Sequence, residues 1–252
     1  MAMVMNNFVG DGNGYVGNLD LDTEKAHTLS ATADWHAVDR TWEFKVTPYY
    51  THVTDYIDAK RCVGSGTGMN AICGGPANNT ATNKFVLLQY VNQTARLWGI
   101  DVSGHLPLAK TDGFGEFNLA GLFNYTNGQN TTTDDDLYNI MPLSGKLMLG
   151  HKLGGFGSSV EMVMAKGKNN ISDVRNEIKT AGYILVNLRA SYNWKLVRLD
   201  FGIENMFDKF YSLPLGGAYT GQGMTMATNG IPWGIAVPGM GRTFYTALTV
   251  NF

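Results

Sequence analysis

Through most of this chain, apolar and polar side chains alternate at every second position. Trp42, Phe44, Val46, Pro48 and Tyr50 interleave with Glu43, Lys45, Thr47 and Tyr49. Ile184, Val186, Leu188, Ala190 and Tyr192 interleave with Asn187, Arg189, Ser191 and Asn193. Leu199, Phe201 and Ile203 interleave with Arg198, Asp200, Gly202 and Glu204, and similar stretches surround Trp98, Phe117 and Phe244. A period of two puts one set of side chains on each face of a β-strand. The pattern predicts nine strands, near 26–38, 41–56, 84–108, 114–127, 138–153, 158–168, 182–194, 197–205 and 241–252. The third is read as one strand, although Asn92-Gln93-Thr94 leaves open a turn that would divide it.

Alternation alone suits two architectures. In a soluble sandwich the apolar face is the core; in a membrane barrel it meets lipid and the polar face lines the lumen. The connections separate the two. Asp39-Arg40, Thr111-Asp112-Gly113, Gly154 to Gly157 and Lys195-Leu196 are short, whereas 57–83, 128–137, 169–181 and 206–240 are long. Short turns therefore fall at one end of the sheet and long loops at the other, the asymmetry of outer-membrane barrels. If the last strand runs down to the periplasm, every long loop is extracellular. Phe252 then ends an alternating closing strand in the manner of such barrels.

Composition fits this reading. Charged residues make only 16% of the 252 residues, below the roughly 25% usual in soluble domains. Aromatics make 12% and Gly contributes 31 residues, yet no apolar run is long enough for a transmembrane helix. A formal net charge of −2 offers no basic surplus for nucleic acid. Trp35, Trp42, Trp98 and Trp194 are expected in aromatic girdles at the two membrane interfaces. Cys62 and Cys73 share one Gly/Asn-rich segment, which favours a small disulfide-closed loop in an oxidising compartment over two unrelated thiols. Residues 1–25 are expected to be an extracellular lead-in and 26–252 the strands. Nine is an odd count where single-chain bacterial barrels generally have an even one. The lead-in residues Met3 to Tyr15 read poorly as a tenth strand, and Met1 to Asn7 lack the features of a signal peptide. The expectation is a piece of a larger barrel.

Four stretches carry a family resemblance. Gly17-Asn18-Leu19-Asp20-Leu21-Asp22-Thr23-Glu24-Lys25 resembles an Asn-Pro-x-Leu-Lys-Pro-Glu-Lys segment, with Leu19 for the Pro and Asp22-Thr23 for Lys-Pro. Tyr90 to Asp101 resembles a strand of pattern Asn-x-x-x-Ala-x-x-x-Gly-x-Glu, with Asp101 for Glu. Gly202 to Tyr211 resembles Glu-Asn-Leu-Phe-Asp-Lys-x-Tyr, and Pro238 to Tyr245 resembles Pro-Gly-Arg-Thr-Phe-Tyr with two residues inserted. All four belong, in this order, to the C-terminal part of TonB-dependent outer-membrane receptors, which the chain resembles over most of its length. The resemblance implies an all-β antiparallel transmembrane barrel segment, about nine strands of a 22-strand barrel, with the plug domain and TonB box having no counterpart in the chain. It implies residence in the bacterial outer membrane. Its implied partners are outer-membrane lipid, a metal-chelate ligand, TonB through an N-terminal region, and the barrel assembly machinery through the closing strand with Arg242, Phe244, Tyr245 and Phe252.

The expected role is a receptor-transporter for a metal chelate, with a ferric siderophore foremost and cobalamin, haem or copper as further ligands. The alternative is a small stand-alone structural or adhesive barrel. No nucleophile–base pair, phosphate loop or metal-ligand spacing is read in the sequence, so no enzyme, resident cofactor or metal centre is expected. The candidate ligand residues lie around loop 206–240: Tyr211, Tyr219, Met224, Met226, Trp233 and Met240. Thioethers suit soft metals and aromatics stack on chelates, although the same residues also pack long loops. His27 is a lone candidate for haem among five histidines, most of them on strands, where a girdle or lumen role is commoner. Asp134-Asp135-Asp136 reads as solvated charge at a loop tip rather than a cation site.

Overall fold

The structure, a computed structural model, describes residues 4–6, 13–62, 87–217 and 235–251. It is an all-β sheet. Two short strands come first, β1 (Val4–Asn6) and β2 (Gly14–Val16). The main run follows: β3 (Lys25–Ser30), β4 (Ala33–His36), β5 (Glu43–Arg61), β6 (Leu87–Thr111), β7 (Gly115–Asn130) and the two-residue β8 (Asp135–Asp136). It ends with β9 (Ser144–Leu153), β10 (Phe156–Ala165), β11 (Tyr183–Trp194), β12 (Val197–Glu204) and β13 (Thr243–Val250). Strands β3 and β4 both pair with β5 and form one interrupted strand. From there each long strand pairs antiparallel with its sequence neighbour through to β13. Among the described residues, β3 and β4 on one side and β13 on the other pair on one edge only.

The nine long strands are those the alternation predicts, and the connections sort as expected. Residues 112–114, 154–155 and 195–196 make tight turns at one end, with Gly154 and Lys195 in the left-handed region at φ 56° and 53°. At the other end lie 131–143, 166–182 and the described parts, 205–217 and 235–242, of the connection before β13. The Asn92-Gln93-Thr94 turn does not form: β6 runs straight through it for 25 residues. Asn92 instead bonds Asp22 and the carbonyl of Asp55, the positive-φ residue of a bulge in β5. A second departure is β9, which starts at Ser144 rather than near 138. Ile140, inside the expected strand, and Leu137, just before it, pack from a loop with Val53 and Ala95.

The two faces separate as the alternation requires. Tyr50, Trp98, Ile100, Phe201, Leu199, Phe244 and Leu248 are exposed on one face. Trp35, Trp42, Trp98 and Trp194 all stand on the exposed surface, with Trp35 stacked on Phe44 and Trp98 edge-on to Tyr125. Tyr125 lies eight residues along β7 from Phe117. At about 3.3 Å per residue and a tilt of about 40°, that is about 20 Å of height, close to the apolar band of a membrane barrel. The opposite face carries Lys45, Asp101, Glu161, Arg189, Asp200 and Glu204. There Arg189 bridges Glu161 at 3.1 Å and Glu204 at 3.6 Å, and Asn187 donates to Glu161 at 2.9 Å.

Candidate functional site at the long-loop end

Burial concentrates where the loops are long. Strands β5 and β6 overshoot β7, whose pairing with β6 stops at Ala95. The freed edge of β6 accepts β2 in parallel, with Gly14 opposite Leu87 and Val16 opposite Gln89. Tyr15 stacks on Tyr90 at 5.2 Å and packs with Ala59 and Leu88. This pairing carries no local sequence signal, because a three-residue strand has no period to read.

Arg175, in the loop between β10 and β11, joins four chain segments. Its guanidinium pairs with the Asp58 carboxylate of β5, and its Nε donates to the Tyr15 hydroxyl at 3.3 Å. Its guanidinium carbon stands 5.0 Å from the centre of the Tyr138 ring, a cation–π contact. Its carbonyl accepts from the Asn13 amide at 2.9 Å. The Asn130 amide ties Asp58 to Gln93, so the carboxylate is held from two sides. Burial works against the Arg175 charge, but the Asp58 carboxylate and Tyr15 oxygen prevail and raise its pKa further. The guanidinium is a permanent cation, and nine-tenths of its side chain is out of water.

A second buried pair lies within the same loop. Lys168 Nζ meets Glu177 Oε1 at 2.6 Å and donates to the Ile140 carbonyl at 3.0 Å. Glu177 also accepts from the backbone of Asn139 and Ser172. Removing one partner of such a pair typically costs about 3–5 kcal/mol, because a charge is stranded out of water. Asp135 accepts from Ser172 Oγ and from the backbone N–H groups of Asp173 and Val174, at 2.9–3.1 Å. Asp134 is exposed, as expected of a loop tip, but Asp135 and Asp136 are half-buried and are not solvated charge. Asp135 organises the neighbouring loop, whose three donors come from 37 to 39 residues away and carry no local sequence signal. Burial, then the nearby carboxylates of Asp135, Asp173 and Glu177, push the Asp136 carboxyl above its ordinary value.

Beneath these charges, Leu137 is buried against Val53 and Ala95, with Tyr56, Leu97 and Ile140 alongside. Val53 and Ala95 belong to the charged, inner face of the sheet, so loop 131–143 folds inward over it. Gly128 permits this: a Cβ there would stand 2.8 Å from Leu137 Cδ1.

Two of the loop 206–240 candidates are placed. Tyr211 is half-buried, its ring 4.5 Å from Tyr183 and pressed on Gly239. Met240 is exposed, and its carbonyl accepts from Asn205 at 3.1 Å. Tyr219, Met224, Met226 and Trp233 lie outside the described residues, as do Cys73 and Phe252. Cys62 is buried, and no described cysteine is a free thiol. Arg242 donates its N–H to Asp208 Oδ1 at 2.8 Å, Phe244 is exposed, and Tyr245 covers Gly202. His27 is exposed on β3, opposite His52. Among the described residues, no group of three His, Cys, Asp or Glu side chains is placed to hold a metal.

Residues 4–206 match the family described as TonB dependent receptor-like, beta-barrel. The heme/hemopexin utilization protein C of Haemophilus influenzae is 27% identical over 225 residues, 79% of this chain and 28% of that protein. Among solved structures, the copper transporter OprC superposes with a TM-score of 0.72 at 21% identity, covering 93% of this chain and 33% of that one. The ferric yersiniabactin uptake receptor FyuA from Yersinia pestis gives 0.61 at 11% identity, covering 96% and 31%. The ferric citrate transporter FecA gives 0.63 at 15% identity, covering 91% and 31%. The chain spans about a third of the length of these relatives or less.

Proposed function

We propose, since this chain belongs to the TonB-dependent receptor-like β-barrel family, that it builds part of an importer carrying a metal chelate across the outer membrane. The family is one of outer-membrane proteins, transporters and receptors rather than enzymes. The observation that carries the reading is the two-sided sheet: an aromatic and aliphatic outer face about one membrane tall, an ionic inner face, and ordered long loops at one rim. That rim is the extracellular mouth in this orientation, where a ligand first meets the protein.

The named relatives handle copper, ferric chelates and haem, which supports a metal-bearing cargo. A ferric siderophore is the cargo proposed first, with haem, copper and cobalamin as competitors. Tyr211, Tyr219, Met224, Met226, Trp233 and Met240 are proposed as the ligand-facing residues of loop 206–240, and Cys62–Cys73 as a disulfide bracing the loop after β5. The Tyr183–Tyr211 pair gives that proposal its one placed aromatic surface. TonB is proposed to act through a region outside this chain. The closing strand with Arg242, Phe244, Tyr245 and Phe252 is proposed as the segment that the assembly machinery reads.

The test is uptake by cells whose only copy is the full-length protein containing this chain. Under iron starvation, ferric siderophore is expected to support growth and labelled-iron accumulation, with both reduced by Tyr211→Ala. Haem or copper uptake instead would move the proposal to that ligand. No change in ferric, haem, copper or cobalamin uptake on deleting the protein would overturn it.

A further inference from the structure

We infer that loops 131–143 and 166–182 form a lid over the inner face of the sheet, and that Arg175 is the latch fastening this lid to the 13–16 strap. Loop 131–143 lays Leu137 and Ile140 on Val53, Ala95 and Leu97, so Ala95 has no exposed surface while the loop is down. Loop 166–182 holds that loop from above, through Lys168 to the Ile140 carbonyl and Glu177 to the Asn139 N–H. Nothing in those contacts reaches residues 13–16. The strap is reached by Arg175, whose one guanidinium touches Asp58, Tyr15 and Tyr138, and whose carbonyl holds Asn13.

Two sets of contacts therefore do two jobs. Lys168 and Glu177 clip the lid loops to each other. Arg175 is the polar tie from the clipped lid to the strap that covers the free edge of β6, beside the packing of Val174 on the Tyr15 cluster, and it shares the hold on β5 with Arg61, which donates to the Asp173 and Val174 carbonyls and to Asn176. The charged group facing the guanidinium is Asp58 on β5, while Glu177 farther along the same loop is paired with its own cation, Lys168. The planar Arg fork holds its partners in fixed directions, where a Lys would offer a point charge on a flexible stem. Losing it strands Asp58 among Gln93 and Asn130, which relieves itself by opening to water. The inner face beneath Leu137 is then uncovered. This inference concerns the mechanics of the mouth and stands whichever ligand the importer takes.

The test uses the full chain in detergent with a cysteine introduced by Ala95→Cys, a membrane-impermeant maleimide as probe, and hydrogen exchange read over residues 13–16. With the latch intact, Cys labelling is expected to be slow and the strap protected. In Arg175→Met, labelling is expected to rise and strap protection to fall, each by at least about tenfold for a stranded buried charge. Lys168→Met is expected to speed labelling while leaving the strap protected, and this second variant separates a latch from general loosening. Arg175→Met leaving both readouts unchanged would overturn the latch, and so would Lys168→Met freeing the strap as fully as Arg175→Met.

Discussion

Gly202 shows how a single position serves the sheet. Its backbone sits under the Tyr245 ring, and a Cβ there would lie 2.1 Å from Tyr245 Cε1. An aromatic over a cross-strand glycine restores the side-chain contact the glycine lacks. Gly202→Ala is expected to cost about 1–3 kcal/mol by forcing the ring away. The same change in a Tyr245→Ala background should cost much less, a coupling that thermal unfolding in detergent will report. Asp136 offers a pH-dependent counterpart. Its folded pKa is raised by burial first and by Asp135, Asp173 and Glu177 next, so the folded state holds the proton more tightly than the unfolded one. Its contribution is therefore fully present below the ordinary value of 3.8 and is lost as pH rises through the raised one. Asp136→Asn is expected to protect loop 131–143 from proteolysis relative to the unsubstituted chain at neutral pH. The two should converge below about pH 3, where the carboxyl is protonated in both states. A variant that weakens the loop at neutral pH would contradict the repulsion described.

At the scale of elements, the motifs that carry the family resemblance turn out to be joints. Asn205 ends β12 at φ 48°, and its side chain binds the N–H and carbonyl of Lys209 and the carbonyl of Met240. Asp208 then accepts the Arg242 N–H, so the Glu204–Tyr211 stretch and the lead-in to β13 lock together. Asn205→Ala removes three hydrogen bonds and leaves an alanine in the left-handed region. The expected loss is about 2–4 kcal/mol locally, read as faster tryptic cleavage after Lys209. Ala95 and Gly99 are equally mechanical: Leu137 lies on the first, and a Cβ on the second would stand 2.2 Å from the Tyr125 carbonyl oxygen. The long strands were legible because each carries its own two-residue period, and the turns because Gly154 and Asp39-Arg40 punctuate them. The strap, β8 and the Arg175 network were not. β8 is only two residues long and has no period to read, the side-chain partners of the others lie 37 to 162 residues away, and a buried Arg–Asp pair looks in sequence like two ordinary surface charges. The expected strand start near 138 failed for the same reason, since an apolar loop residue that packs inward imitates a strand residue.

The whole molecule turns on one assignment: the exposed apolar face meets hydrocarbon and the ionic face meets an aqueous interior. Among the described residues the sheet does not close on itself, and the relatives it matches are about three times as long. Residues 197–204 of β12 provide the sharpest ruler, because Leu199 and Phe201 are exposed on one face while Arg198 pairs with Asp200 on the other. The most direct measurement is a spin-label scan of these eight positions in native-like membranes, comparing accessibility to dissolved oxygen with that to a water-soluble nickel chelate. Oxygen maxima are expected at 197, 199, 201 and 203 and nickel maxima at 198, 200, 202 and 204. Accessibilities that rise and fall together, or nickel reaching 199 and 201 as readily as 200, would contradict a lipid-facing barrel wall.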